Sequence, residues 1–134
     1  MTAAMYHMDA LDFLQSMIRE GIEPDLVIFD PPYSPRQVKE CYDGIGLKMG
    51  REGGQRTHAW TRERDAIDVM LTDNGTVLSF GWDSIGMGKG RGYEIEEILL
   101  VCHGAGHNDT ICMAERKHII QPGLFGVGNS ELLT

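Results

Sequence analysis

The sequence predicts one α/β domain whose sheet is parallel early and closes with an antiparallel hairpin. Three observations predict it. Leu11, Phe13, Leu14, Met17 and Ile18 recur at helical spacing. The apolar run Leu26-Val27-Ile28-Phe29 follows once Gly21 and Pro24 have stopped that helix. Late in the chain, Ile95 to Val101 and Thr110 to Glu115 read as strands, and the intervening His103-Gly104-Ala105-Gly106-His107-Asn108 suits a hairpin loop. At 134 residues, 42% hydrophobic and 24% charged, the chain has the size and composition of one soluble domain with a modest core.

Taken in order, Met5-Tyr6-His7-Met8 reads as a short strand ending at Asp9, which is placed to cap the helix that follows. The opening is therefore strand, helix, strand, the unit that builds parallel sheets. Ser34 is a second N-cap with Pro35 at the first helical position, and that helix should run through Val38, Cys41 and Tyr42 and fade near Gly44 or Gly46. Residues 47–57 are polar and glycine-rich and read as a mobile loop. Thr57 then caps a third helix carrying Trp60, Ile67, Met70 and Leu71. Asp73-Asn74-Gly75 is a turn, and Val77-Leu78-Ser79-Phe80 is a buried strand closed by Gly81-Trp82-Asp83. Gly86 to Gly92 forms a flexible glycine-rich arm. From Lys117 onward Pro122, Gly123, Gly126 and Gly128 suggest a loosely ordered tail, which divides the chain into a domain of residues 1–116 and a tail of 117–134.

The net charge of -8 argues against strong nonspecific binding to duplex DNA, which rests on Lys and Arg neutralising phosphates. Lys48, Arg51, Arg56, Arg62 and Arg64 form one local basic strip, and Lys89 and Arg91 another. Each is either solvated surface or a set of phosphate contacts. Three widely spaced cysteines, Cys41, Cys102 and Cys112, suit a reducing cytosol. No apolar run approaches a membrane span and no secretory signal is visible, so a cytoplasmic location with no membrane partner is expected.

The stretch richest in chemistry is Asp30-Pro31-Pro32-Tyr33, directly after the apolar strand. Ligands of open α/β sheets bind at such strand ends. The exocyclic amine of a base is a poor nucleophile because its lone pair is delocalised into the ring. A carboxylate (Asp30) and a backbone carbonyl (Pro31) can each accept one of its N–H bonds and draw the nitrogen toward sp³. The consecutive prolines hold the backbone extended. Tyr33 can stack on a base taken out of its helix. The plain alternative is a strand followed by an Asp-Pro turn.

Asp30-Pro31-Pro32-Tyr33-Ser34-Pro35-Arg36-Gln37, then Phe80-Gly81-Trp82, then His107-Asn108-Asp109-Thr110 resemble a family of phage and bacterial adenine-specific DNA methyltransferases of the DPPY amino-methyltransferase class. The resemblance covers roughly residues 2–117. It implies a Rossmann-like methyltransferase sheet with a C-terminal antiparallel hairpin. It also implies S-adenosyl-L-methionine as donor and the N6 amine of an adenine in DNA, flipped out or single-stranded, as acceptor. The residues alone leave cytosine N4 open. Asp30, Pro31, Pro32 and Tyr33 would be catalytic. Asp9, Ala10 and Phe29 would line the cofactor site, Asp9 being equally explained as an N-cap. Ser34, Arg36, Trp82, His107 and Asn108 would touch substrate, although capping, solvent exposure and core packing explain several of them as well.

Such enzymes carry a glycine-rich cofactor loop after the first strand. Here Thr2 to Leu14 already resembles the third strand and its helix, so the sheet is expected to be truncated at its amino end. Leu124-Phe125-Gly126-Val127-Gly128-Asn129 is the late candidate for that loop, but its spacing departs from Phe-x-Gly-x-Gly. A second copy or a partner chain is expected to supply the missing wall. The other account is a non-catalytic partial methyltransferase that docks on an active partner. Gly86 to Gly92 is no P-loop, because Gly90 rather than Ser or Thr follows Lys89. Cys102, His103, His107 and Cys112 lack the close Cys pair of a zinc site, so the cysteines read as small buried hydrophobes in strands and no metal is predicted.

Overall fold

The computed structural model describes residues 3–48 and 60–118. Helix α1 spans Ala10–Arg19. The Asp9 carboxylate accepts the Leu11 and Asp12 amides at 3.0 and 3.3 Å, satisfying donors that the first turn leaves open. Leu11, Leu14 and Met17 form its buried stripe. Gly21, at φ +70, ends it: the Ile22 amide returns to the Met17 carbonyl and the Gly21 amide to Ile18, a closure that needs a left-handed residue. Strand β1, Leu26–Phe29, follows. Helix α2 spans Pro35–Gly44, with the Ser34 hydroxyl accepting the Gln37 amide at 3.2 Å. Helix α3 is Thr61–Met70. Strands β2 (Thr76–Gly81), β3 (Tyr93–Val101) and β4 (Thr110–Lys117) complete the sheet.

The four strands lie in the order β1-β2-β4-β3. β1 runs parallel to β2 with Phe29 beside Ser79, and β4 pairs antiparallel with both β2 and β3. Alternation sets the two faces. Val27, Phe29, Val77, Ser79, Met113 and Glu115 fall on the face that α1 and α3 cover, where Ile67 is 1% exposed and Val77 fully buried. The opposite face carries Leu26, Ile28 and Leu99, at 51, 64 and 59% exposure. At the start of β2, the turn closes on Asn74 at φ +63.

The sequence expectations for α1, β1, α2, β2 and the β3–β4 hairpin hold, and five others are corrected. Residues Met5 to Met8 form no strand and are exposed, Met5 at 98%, and no strand among the described residues pairs with them. Trp60 is not inside the third helix but at its N-cap, in the left-handed region at φ +39. Lys117, expected to open the tail, is the last residue of β4, its amide donating to the Gly75 carbonyl at 2.9 Å. The Gly86–Gly92 arm is pinned: it holds a single 3₁₀ turn, Lys89–Arg91, and Arg91 pairs with Asp65 at 2.7 Å and donates to the Met87 carbonyl at 2.9 Å. Arg91 thus ties the arm to α3. Cys102 lies just past the end of β3 and is exposed. The 47–57 loop beyond residue 48, the Thr57 cap, the Leu124–Asn129 stretch and the tail from residue 119 lie outside the described residues. Among the described residues, no helix is long and apolar enough to cross a membrane and no cluster has the makings of a metal site.

Candidate active site

Asp30 leaves the carboxyl end of β1 exposed. Three residues on, the Tyr33 hydroxyl donates to its Oδ1. The Tyr33 amide donates to Gln37 Oε1 at 2.7 Å, which fastens the turn to the first turn of α2. Tyr33 is thus held at both ends, and it holds one carboxylate oxygen of Asp30 in place. On the neighbouring strand, Trp82 follows the last residue of β2. Its ring centroid is 5.6 Å from that of Tyr33, with the planes inclined at 56°. At 43% exposure Trp82 is not a core residue. The two aromatic side chains form an open-sided jaw beside the carboxylate.

Two hollows meet here. The larger, about 580 Å³, lies between α1, β1, α2 and α3, with Asp9, Ala10, Phe13, Phe29 and Asp30 among its lining. The smaller, about 260 Å³, lies between Tyr33, Trp82, Arg64, Ser79 and Gly86. Phe29, Pro31, Pro32 and Trp60 border both. The parallel register that sets Phe29 beside Ser79 is what brings the ends of β1 and β2 together at this partition.

Burial raises the Tyr33 phenol far above its ordinary 10.0, and the hydrogen bond to Asp30 and the Asp30 charge add to it. Tyr93, whose hydroxyl donates to Asp68 at 3.0 Å, is raised in the same direction by burial first and then by Asp68. A raised folded value means the folded state keeps a proton that the unfolded chain has lost. Stability from these two groups is therefore complete below pH 10 and falls as pH rises above it toward the folded values. Alkaline titration followed by tyrosinate absorbance is expected to show two tyrosines ionising only as the protein unfolds. Tyr33→Phe and Tyr93→Phe should each remove one of those late steps; early titration of both phenols in the folded protein would contradict this.

The other sequence candidates divide. Asp9 and Ala10 border the large hollow, but Asp9 is also the α1 cap, and its second carboxylate oxygen accepts the Tyr42 hydroxyl at 3.0 Å, tying α1 to α2. Ser34 caps α2, and Arg36 is exposed and paired with Glu40 at 2.8 Å; neither borders a hollow. His107 and Asn108 stand exposed in the β3–β4 loop and border neither hollow. The structure does not bring these four to Asp30. Sequence reasoning missed the small hollow's inner wall. Ser79 is 7% exposed and Arg64, read only as part of a surface strip, is 8% exposed with its guanidinium carbon 5.7 Å from the Phe29 ring centroid. Burial lowers the Arg64 pKa, opposed by the charge of Asp83. The available signal was parity: Ser79 alternates with Val77 and therefore points to the same buried face.

No protein-family model matches the sequence, and no curated protein matches it. Among solved structures the chain is similar to SMU.776, provisionally assigned as a methyltransferase and crystallised with SAH. The TM-score is 0.55 and the identity 12%, over 81% of this chain and 30% of that one. It is also similar to a protein from Streptococcus mutans provisionally assigned as a SAM-dependent methyltransferase, with a TM-score of 0.52 and 11% identity, over 81% of this chain and 29% of that one. The chain thus spans less than a third of the length of either. What these likenesses establish is the fold: a mixed α/β sheet shared with these two structures.

Proposed function

We propose that the chain transfers a methyl group from S-adenosyl-L-methionine to the exocyclic N6 of adenine in DNA. The observation that carries this reading is the position of Asp30, held by Tyr33 on the wall of the large hollow, between Phe29 and Pro31, which border both hollows. One hollow would take the donor and the other the acceptor base. When bound, the donor supplies an electrophilic methyl carbon on a sulfonium. The large hollow fits the nucleoside part of that molecule: its walls are mostly apolar, with Phe13 and Phe29 for a ring and Asp9 among the few polar groups that line it. Among the described residues that border it there is no glycine-rich turn. Leu26 and Ile28, half or more exposed on the edge strand, border the same hollow, so we place the remaining wall on a second copy or another chain.

On the acceptor side, the free oxygen of Asp30 and the Pro31 carbonyl accept the two amine protons, while Tyr33 and Trp82 hold the face of the base. Nitrogen would take the methyl carbon as the carbon–sulfur bond breaks, and the donor would leave as the neutral thioether with that electron pair on sulfur. The surplus amine proton passes to Asp30 or to water. The net charge of -8 favours single-stranded DNA, or DNA delivered by another protein, over bare duplex.

The test is methyl transfer from radiolabelled donor to oligonucleotides, followed by digestion to nucleosides. N6-methyldeoxyadenosine is the expected product. Label on cytosine N4 would move the reading to cytosine. No label in any nucleoside, at concentrations that permit self-association and with DNA in both strand states, would leave the non-catalytic subunit account.

A further inference from the structure

The inner end of the small hollow is polar. Ser79 stands in mid-β2 opposite Met113, and its hydroxyl, buried at the wall of the hollow, finds no hydrogen-bond partner among the described residues. A buried hydroxyl without a partner costs stability, and native interiors keep few of them. Arg64 borders the same space, its guanidinium held over Phe29. A guanidinium offers only donors, and a serine hydroxyl can donate as well. Between them, this end of the hollow favours a ligand edge that accepts. β2 therefore supplies both kinds of contact: three residues beyond Ser79 the chain presents Trp82, whose ring lies against Tyr33.

We infer that Ser79 is a specificity determinant for the base, its hydroxyl donating to a ring nitrogen next to the exocyclic amine, with Arg64 closing the polar end. The inference rests on the methylation reading for the identity of the base and deepens it. In adenine the amine is flanked by N1 and N7, both acceptors. In guanine the position beside the exocyclic group carries an N1–H donor, which would face Arg64 unfavourably. The aromatic jaw grips any base by its face; the hydroxyl reads one edge.

The experiment measures tryptophan quenching (Trp60 and Trp82 both border the hollow) by a dodecamer of deoxyadenylate, and by the same oligomer made with 1-deazaadenine or with 7-deazaadenine. Ser79→Ala is expected to bind the deoxyadenylate oligomer about fivefold more weakly than the wild type, the size of one neutral hydrogen bond. Wild type and variant should bind one of the two deaza oligomers alike, because that nitrogen's acceptor is then missing for both. The variant's thermal midpoint should equal or exceed that of the wild type, since an orphaned hydroxyl has been removed. Equal affinity for deoxyadenylate overturns the inference. So does the same loss on both deaza oligomers, and so does a lowered midpoint, which would mark Ser79 as a framework residue. The readout needs no methyl transfer. Ser79-dependent binding without methylation would remove the catalytic reading and leave this one, and methylation with Ser79-independent binding would do the reverse.

Discussion

Asp30→Ala is expected to lower methyl transfer by on the order of 10³-fold, the scale of a lost proton-accepting group at the reacting centre. Asp30 is exposed and its carboxylate accepts the Tyr33 hydroxyl, so the fold should lose no more than about 1 kcal/mol. Single-turnover rates with saturating donor, alongside urea denaturation, separate the two effects. Asp30→Asn keeps the shape and one acceptor but loses the charge, and should fall between wild type and alanine. Tyr33→Phe keeps the ring against Trp82 and releases the carboxylate, so its deficit reports positioning alone. Transfer by Asp30→Ala at the wild-type rate would end the assignment of the site.

Glu115→Ala should be the most damaging change to stability, at about 3–4 kcal/mol. Glu115 is 1% exposed in β4, and its carboxylate accepts the Met87 amide at 2.7 Å and the Gly88 amide at 3.2 Å. Truncation leaves two backbone donors without an acceptor, each costing about 1–3 kcal/mol, and opens a void. Gly86 has no room for a side chain beside this clamp: at φ +52, an added Cβ would collide with the Glu115 carboxylate and the Met113 methyl. Gly86→Ala should therefore destabilise as well, through the same contact. Because Gly86 borders the acceptor hollow, both variants should also weaken deoxyadenylate binding at temperatures where they remain folded. A urea midpoint for Glu115→Ala within error of the wild type would show that the loop is held by other means.

Where the sequence was readable, local chemistry and tertiary context agreed. α1 has a period-3.6 stripe, an Asp cap and a Gly stop, and α2 has Ser34-Pro35. β1 is an apolar run between Pro24 and Asp30, and its outlet carries the residues whose chemistry suggested the site. Met5 to Met8 failed because strand preference has meaning only beside a pairing partner. The start of α3 failed because Trp60 adopts a left-handed conformation that bulky residues seldom take, and no capping side chain announces it. The sequence pointed to Asp30, Tyr33 and Trp82, which the structure brings together, and not to Arg64, Ser79 and Glu115 as a set. An arginine in a basic strip reads as surface, and a serine in a buried strand or a glutamate near a strand end has no marked role, until the sheet face that Ser79 and Glu115 share and the helix that covers it are known. For Ser34 and Arg36 the structure shows the plainer of the two readings the sequence offered, a cap and a solvent-exposed ion pair.

The partition formed by Phe29, Pro31, Pro32 and Trp60 has a thermodynamic corollary. A ligand that stiffens this wall from one side lowers the entropic cost of a ligand pressing from the other. Any enhancement must be reciprocal, with each ligand's dissociation constant falling by the same factor when its counterpart is present. Cooperative loading would then be a property of four shared side chains, with no domain closure required.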